Sequence, residues 1–573
     1  MKRHDLLGRA SAVQAPPTGA GRTVRRGSLT AAVAAAALAL TACNGGTTPD
    51  DTAEDPGATN GAAEDTAADD PADDTETGDA APAGDIDQDA IIEAGISYSL
   101  GGSFDPMMAS GAVTLAANWH TMEGLVDLDP VTREPYAALA ADMPEQIDDT
   151  TYEVTLRDGA VFHDGTQVTA DDVVFSFERT MDPETGTFFA GFIDFIDTVE
   201  AVDEDTVRIT TEYPFSLINE RLGVVKIVPQ ALVEEDPDAF GALPTGTGPY
   251  QLISATADDS LVFERFDDYT GPRPAQAAGM NWNLLADPAA RVTALTSGTI
   301  QAMEDVPYID VPAVEGDANL ELESVQSFGL LFMMFNTEQE PFDDPRVRQA
   351  MFYAIDMDRI IETGMLGNAE PATSFLPATH PNYHEAANVY TYDPERAEEL
   401  LAEAGVDSLD ITLLTTDTGW VAELAPLFKE SFDAVGINTT LDIGQSAGQY
   451  TKVDAGDMQV MIAPGDPSVF GNDPDILMRW WYGDNVWPQD RYRWDGDEKF
   501  AELTELLDEA VRQEGDEQQQ TWNEAFDLIS EEVPLYPLFH RQLPTAWNPE
   551  QLSGFAPVPT TGMSFLDVGV AAD

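Results

Sequence analysis

The sequence predicts an α/β protein with mixed sheets, on three observations. Strand-like and helix-like segments alternate along most of the chain. One apolar run, residues 330–335, is continuous instead of alternating, as a strand buried on both faces requires. Helix starts are marked by Asp-Pro pairs, in which the missing N–H of Pro falls at a first-turn position that needs no partner.

The elements follow in chain order. Tyr152-Glu153-Val154-Thr155-Leu156 alternates with period two, and Asp158-Gly159 and Asp164-Gly165 supply turns after it. Thr169-Ala170-Asp171-Asp172 has the form of a capping box, with Val173, Val174 and Phe177 as the apolar face of the helix it opens. Residues 207–209 and 261–263 read as further strands. The second half is more helical. Asp344-Pro345 opens a helix through Val347, Met351, Ala354 and Ile355, and Asp393-Pro394 opens another that Gly405 closes. Strands at 411–414 and 439–443 alternate with these helices, and a helical pair covers 499–512 and 517–529. No internal repeat of fixed period is present.

The amino-terminus reads as an address. Lys2, Arg3, Arg9, Arg22, Arg25 and Arg26 form a cationic leader, and residues 29–42 contain only Ala, Leu, Val and Thr. About fourteen residues suit a signal-peptide core and are too short for a stable bilayer span. The stretch ends at Leu40-Thr41-Ala42-Cys43, which resembles the bacterial lipobox, so Cys43 is the expected lipidation site. It is the only cysteine in the chain, so no internal disulfide supports the fold. Arg25-Arg26 with Leu29 faintly resembles a twin-arginine export signal.

Residues 44–89 carry fifteen Asp or Glu, no Lys or Arg and no aromatic residue. Such a segment buries too little apolar surface to offset its ordering entropy, and reads as a disordered acidic tether over 43–89. Its coil span is roughly 35 Å and its taut limit about 150 Å.

The body from Ala90 onward is too long for one core. The chain has 27 basic and 104 acidic residues, a net charge of −77. Beyond the leader only four lysines remain. This charge excludes nucleic acid as a partner, since displacing phosphate counterions needs a basic footprint. It reads mainly as an acidic, solvated surface. There is no Gly-x-x-x-x-Gly-Lys-Ser/Thr stretch, so no phosphate cradle for ATP is present.

Ordered landmarks along the body carry a family resemblance. They are Ser103-Phe104-Asp105-Pro106; Glu123-Gly124-Leu125-Val126; Leu156-Arg157-Asp158-Gly159 running through Thr169-Ala170-Asp171-Asp172-Val173; Gly246-Thr247-Gly248-Pro249-Tyr250; and Asn336 with Pro341-Phe342-Asp343-Asp344-Pro345-Arg346-Val347-Arg348. In this order they resemble the extracellular solute-binding proteins of peptide- and nickel-type ABC importers, the family 5 solute-binding proteins. The resemblance implies a two-lobed periplasmic-binding-protein-like fold of the large, peptide-binder type, with a hinge and a discontinuous first lobe. Lobe I is expected over 90–330 and 531–573, and lobe II over 331–530. It implies a monomeric, lipid-anchored binder on the extracytoplasmic face of a bacterial membrane. That binder captures a small ligand, an oligopeptide first of all, for separate permease and ATPase subunits. No catalysis, cofactor or metal is expected.

Aromatic residues mark the expected site. Phe470, Trp480 and Trp481 lie in or after a turn-rich stretch, and loops at strand ends are where open α/β folds place ligands. Two adjacent tryptophans cannot both enter one core from a helix or strand, so at least one should be exposed or face the cleft. Peptide binders that this chain resembles use an acid near here to hold a ligand ammonium group. The usual Trp-x-x-Asp pattern is replaced by Pro464-Gly465-Asp466, so Asp466 or Asp473 is expected in that role. Ser103, Phe104, His120 and Phe328 complete the candidate ligand-binding set.

Two other readings stay open. Trp faces also suit sugar rings, which makes an oligosaccharide binder the first alternative. Gly444-Gln445-Ser446-Ala447-Gly448 matches the nucleophile elbow of a secreted serine hydrolase, with His540 later in the chain, but no His-Gly-Gly oxyanion segment precedes it. His380 and His384 are four apart, yet Pro381 argues against one helix spanning them. Asp495-Gly496-Asp497-Glu498 lacks the regular ligands of a calcium loop.

Overall fold

The computed structural model describes residues 85–572. The expected leader, Cys43 and most of the acidic segment lie outside these residues. Residues 85–89, counted with the expected tether, are placed against the body: Ile86 bridges Ala571, and Asp87 N–H donates to the Val570 carbonyl at 2.8 Å. Ile86 is an apolar residue among acids, and it joins the body beside the C-terminal segment.

One eleven-stranded sheet runs through the molecule. On one side it contains Ile91–Ile96, Gly279–Leu284, Ser260–Arg265 and Tyr250–Thr256, with the short Ala302–Met303. On the other it contains Val460–Gly465, Leu409–Thr416 and Ile437–Gly444. Two long antiparallel strands, Glu321–Phe335 and Leu535–Trp547, join the halves. Residues 321–326 pair with 542–547 on the first side; on the second, 330–334 pair with 535–540 and 330–335 with 460–465. Between Gln326 and Leu330 the register shifts. This break in the ladder at Ser327-Phe328-Gly329 is the hinge, because a strand bends where its pairing is interrupted. The expected apolar run fills the second half, with Leu330 to Phe335 at most 1 % exposed.

The chain order explains the discontinuous first lobe. It crosses out along Glu321–Phe335, builds the second half-sheet and its helices, and returns along Leu535–Trp547. A separate four-stranded antiparallel sheet, Glu145–Asp148, Thr151–Thr155, Thr206–Thr211 and Ile196–Ala201, extends the first lobe. Helix Ala170–Met181 covers it with Val173 and Phe177. Its start is capped as expected, Asp172 accepting the Thr169 N–H at 3.1 Å.

Asp-Pro helix starts are general in this chain. Asp236, Asp287, Asp344, Asp393 and Asp473 each precede Pro and accept a first-turn backbone N–H. Such caps contribute about 1 kcal/mol each. Gly405 takes φ +77°, the left-handed conformation that ends helix Pro394–Glu403.

One expectation is corrected. The turn-rich reading of 463–475 misses that 463–465 extend a strand and that Trp480-Trp481-Tyr482 lies on helix Pro474–Tyr482. Pro464 is tolerated because the neighbouring strand Leu409–Thr416 pairs only as far as Ile462.

Candidate ligand-binding cleft

The lobes meet across a cleft floored by the hinge strands. Helix Ile218–Arg221 brings Glu220 and Arg221 to the cleft wall from the first lobe, and a left-handed turn at Arg133 (φ +64°) aims a guanidinium across it. Arg133 Nη2 donates to the Ser468 carbonyl at 2.5 Å. Arg221 pairs with Asp473 at 2.7 Å and Asp475 at 2.9 Å, all three side chains at most 3 % exposed. Thr561 N–H and hydroxyl donate to Asp466 at 2.9 and 2.6 Å, tying the C-terminal segment to the second lobe.

Three cavities follow the cleft. A small polar chamber of about 70 Å³ is lined by Asn118, Asp127, Arg133, Glu220, Lys226 and Phe470, among others. Near the hinge lies a cavity of about 430 Å³, which Arg133, Gln326, Phe328, His380 and Asn472 help to line. Beyond Phe470 lies an aromatic cavity of about 770 Å³ that includes Phe188, Phe192, Trp480 and Trp487.

The polar chamber holds charges of both signs. Lys226 pairs with Asp127. Among the described residues, Glu220 Oε2, Arg133 Nε and Asn118 Oδ1 are buried without a hydrogen-bond partner. Burial raises the Glu220 carboxyl above its ordinary range. Burial also holds the Arg133 guanidinium down to about 10, against the pull of Asp466 and Asp129. Unpartnered buried polar groups cost about 1–3 kcal/mol each. A ligand bearing both a donor cation and an acceptor anion would satisfy these groups.

The expected site residues divide into three groups. Phe470, Trp480 and Phe328 line the cleft cavities. Asp466 and Asp473 lie at the cleft, and the Asp466 carboxylate and Oδ1 of Asp473 are engaged within the protein. Asp466 accepts from Ser468 and Thr561, and Asp473 caps Ile476 N–H and pairs with Arg221. Both Asp466 oxygens are taken up within the protein, whereas Asp473 Oδ2 stays buried without a hydrogen-bond partner, as Glu220 Oε2 does.

Ser103, Phe104, His120 and Trp481 line none of the three cavities. Ser103 Oγ accepts from Asp105 N–H and Phe104 is 3 % exposed in the first-lobe core. His120 Nδ1 donates to Ala116 O and its Nε2 accepts from Phe565 N–H, both at 2.8 Å, with burial lowering its pKa to about 4. Trp481, 1 % exposed, packs on Phe332 and Trp487.

Sequence reasoning missed Glu220, Arg133 and Lys226. Lys226 carried a signal: it stands alone within the apolar run Val224-Val225 and Ile227-Val228, whereas the other lysines of the body pair on the surface. Glu220 and Arg133 carried none, because a loop arginine and a helical glutamate are ordinary surface residues until the lobes meet.

Ser446 opens helix Ser446–Asp454 and is exposed. His540 is 2 % exposed on a hinge strand, its Nδ1 at 3.1 Å from the Phe328 carbonyl. No hydrogen bond joins them among the described residues, whereas a serine nucleophile is activated by a base within hydrogen-bond reach.

The sequence profile of the bacterial extracellular solute-binding proteins, family 5, middle region, matches residues 134–493. This chain is a family 5 solute-binding protein. It is similar to the glutathione-binding protein GsiB of Escherichia coli K12, 28% identical over 488 residues that cover 84% of this chain and 94% of that one. Its fold is similar to that of AgaA from A. tumefacien R10 in complex with agropinic acid, at a TM-score of 0.75 and 26% identity over 84% of this chain and 99% of that one. The ABC transporter-associated periplasmic binding protein DppA of Helicobacter pylori, in complex with the peptide STSA, gives 0.74 at 23% identity over 84% and 98%. As a family 5 solute-binding protein the chain is the substrate-binding component of an ABC importer. No helix among the described residues is long and apolar enough to cross a membrane.

Proposed function

We propose that this solute-binding protein captures a small peptide or peptide-like amino-acid conjugate carrying both an ammonium and a carboxylate group. Lobe I, 90–330 with 531–573, and lobe II, 331–530, close on it, and a permease receives it. A lipid on Cys43 holds the monomeric protein at the outer face of the cell membrane. One observation supports the ligand class most: Glu220 Oε2 and Arg133 Nε lie buried and unpartnered in one chamber at the lobe junction. A ligand ammonium placed on Glu220 and a carboxylate placed on Arg133 would each form a charge-assisted bond. Two of the relatives' names agree with this chemistry, since glutathione and a peptide each carry an ammonium and a carboxylate. An oligosaccharide would leave both charges without counterparts.

Ligand extracted from protein purified from its native cells and identified by mass spectrometry tests the reading. A zwitterionic amino-acid derivative is expected, bound at least about tenfold more weakly by Glu220→Gln when measured by calorimetry. A neutral sugar in the extract would overturn it.

A further inference from the structure

The polar chamber, at about 70 Å³, has room for only a few water-sized groups. A peptide-like ligand with a side group of any bulk needs further space, and the 770 Å³ cavity lies next to the chamber. That volume is within the ordinary range for a small-molecule site.

The wall between the two spaces is two rings thick. Phe189 and Phe470 face the polar chamber, while Phe188, Phe192 and Trp480 face the large cavity. Phe188 stacks on Phe189 at 4.3 Å and Phe470 packs on Trp480 at 5.0 Å. Both lobes supply rings to this wall, so opening of the lobes separates them and closure rebuilds the partition around whatever lies there.

The chemistry of the cavity is apolar with an acidic rim. Phe188, Phe192, Trp480, Trp487 and Phe500 supply ring faces and edges. Its two arginines are engaged: Arg479 pairs with Asp475 and Asp508 at 2.7 and 2.8 Å, and Arg491 pairs with Asp454 and stacks at 4.2 Å over Trp487. Asp194 and Asp484 remain as negative charges on the lining.

We propose that this aromatic cavity receives an apolar, ring-bearing side group, neutral or cationic, of the same ligand whose charged head sits on Glu220 and Arg133. The proposal rests on the zwitterionic reading of the polar chamber and adds the second half of the ligand.

Calorimetry with Ala-Ala and Ala-Phe, and fluorescence of the neutral probe N-phenyl-1-naphthylamine, test it on the intact protein. Wild type should prefer Ala-Phe, and Ala-Phe should displace the fluorophore. Trp480→Ala and Phe188→Ala should each cut the Ala-Phe to Ala-Ala affinity ratio by about tenfold or more. Glu220→Gln should weaken both peptides alike while the fluorophore still binds. Two variants on different lobes guard against misfolding of either one. Equal binding of the two peptides, or fluorophore binding that Ala-Phe leaves unchanged, overturns the aromatic site alone. Failure of both peptides to bind overturns the polar reading and this proposal together.

Discussion

Arg221 Nη2 lies 2.7 Å from Asp473 Oδ1 although 252 residues separate them, and the pair is buried where the two lobes meet. Asp475 at 2.9 Å completes the triad, and Arg221 Nη1 also donates to the Phe192 carbonyl at 2.8 Å. The two acids raise the Arg221 pKa despite burial, so the guanidinium stays charged.

Arg221 therefore latches the closed state. Arg221→Met leaves two buried carboxylates facing each other, and breaking a buried pair this way costs about 3–5 kcal/mol. Because the lobes can separate and rehydrate the acids, much of this should appear as opening. Small-angle scattering is expected to show a larger radius of gyration and calorimetry a weaker ligand affinity. Asp473→Asn with Asp475→Asn in the same chain should restore part of the closure. A compact Arg221→Met protein with unaltered affinity would dismiss the latch.

Glu304 predicts a pH dependence of stability. Its carboxyl is 4 % exposed, accepts from Ser97 N–H at 2.9 Å, and is pushed up to about 7 by burial. In the unfolded chain a glutamate titrates at about 4.3. Between these values the folded state binds the extra proton, so stability from this group falls as pH rises from about 4.5 to 7 and levels off above. Glu304→Gln should flatten that part of the melting-temperature profile. An identical slope in the variant would remove Glu304 as its source.

Cys43→Ser tests the anchor. Without a thiol to acylate, the protein should appear in the medium or stay uncleaved at the membrane. Fractionation and intact-mass measurement distinguish these outcomes. Membrane-bound protein with a correctly removed leader would rule out the lipid.

Ser446 tests the hydrolase alternative. A fluorophosphonate should fail to label the wild-type protein, and Ser446→Ala should shift stability by less than about 0.5 kcal/mol, since the residue is exposed. Covalent labelling that disappears in Ser446→Ala would reopen that reading.

Local chemistry was legible from the residues alone wherever a few neighbours decide the outcome. The Thr169–Asp172 capping box, the Asp344-Pro345 and Asp393-Pro394 helix starts, the Gly405 terminus and the apolar strand at 330–335 all depend on contacts within a few positions or on a single periodicity. The ordered landmarks likewise identified the family, because a series of short motifs survives in the chain order. The site was different. Phe470 and Trp480, singled out for their aromatic character, line cavities at the lobe junction, whereas Asp466 and Oδ1 of Asp473 are engaged by Thr561 and Arg221 from segments far away in sequence. Glu220 and Arg133 were invisible for the same reason. Whether a charged side chain is paired or left for a ligand depends on what the other lobe brings within about 3 Å. Only folding across the hinge at Ser327-Phe328-Gly329 sets that distance.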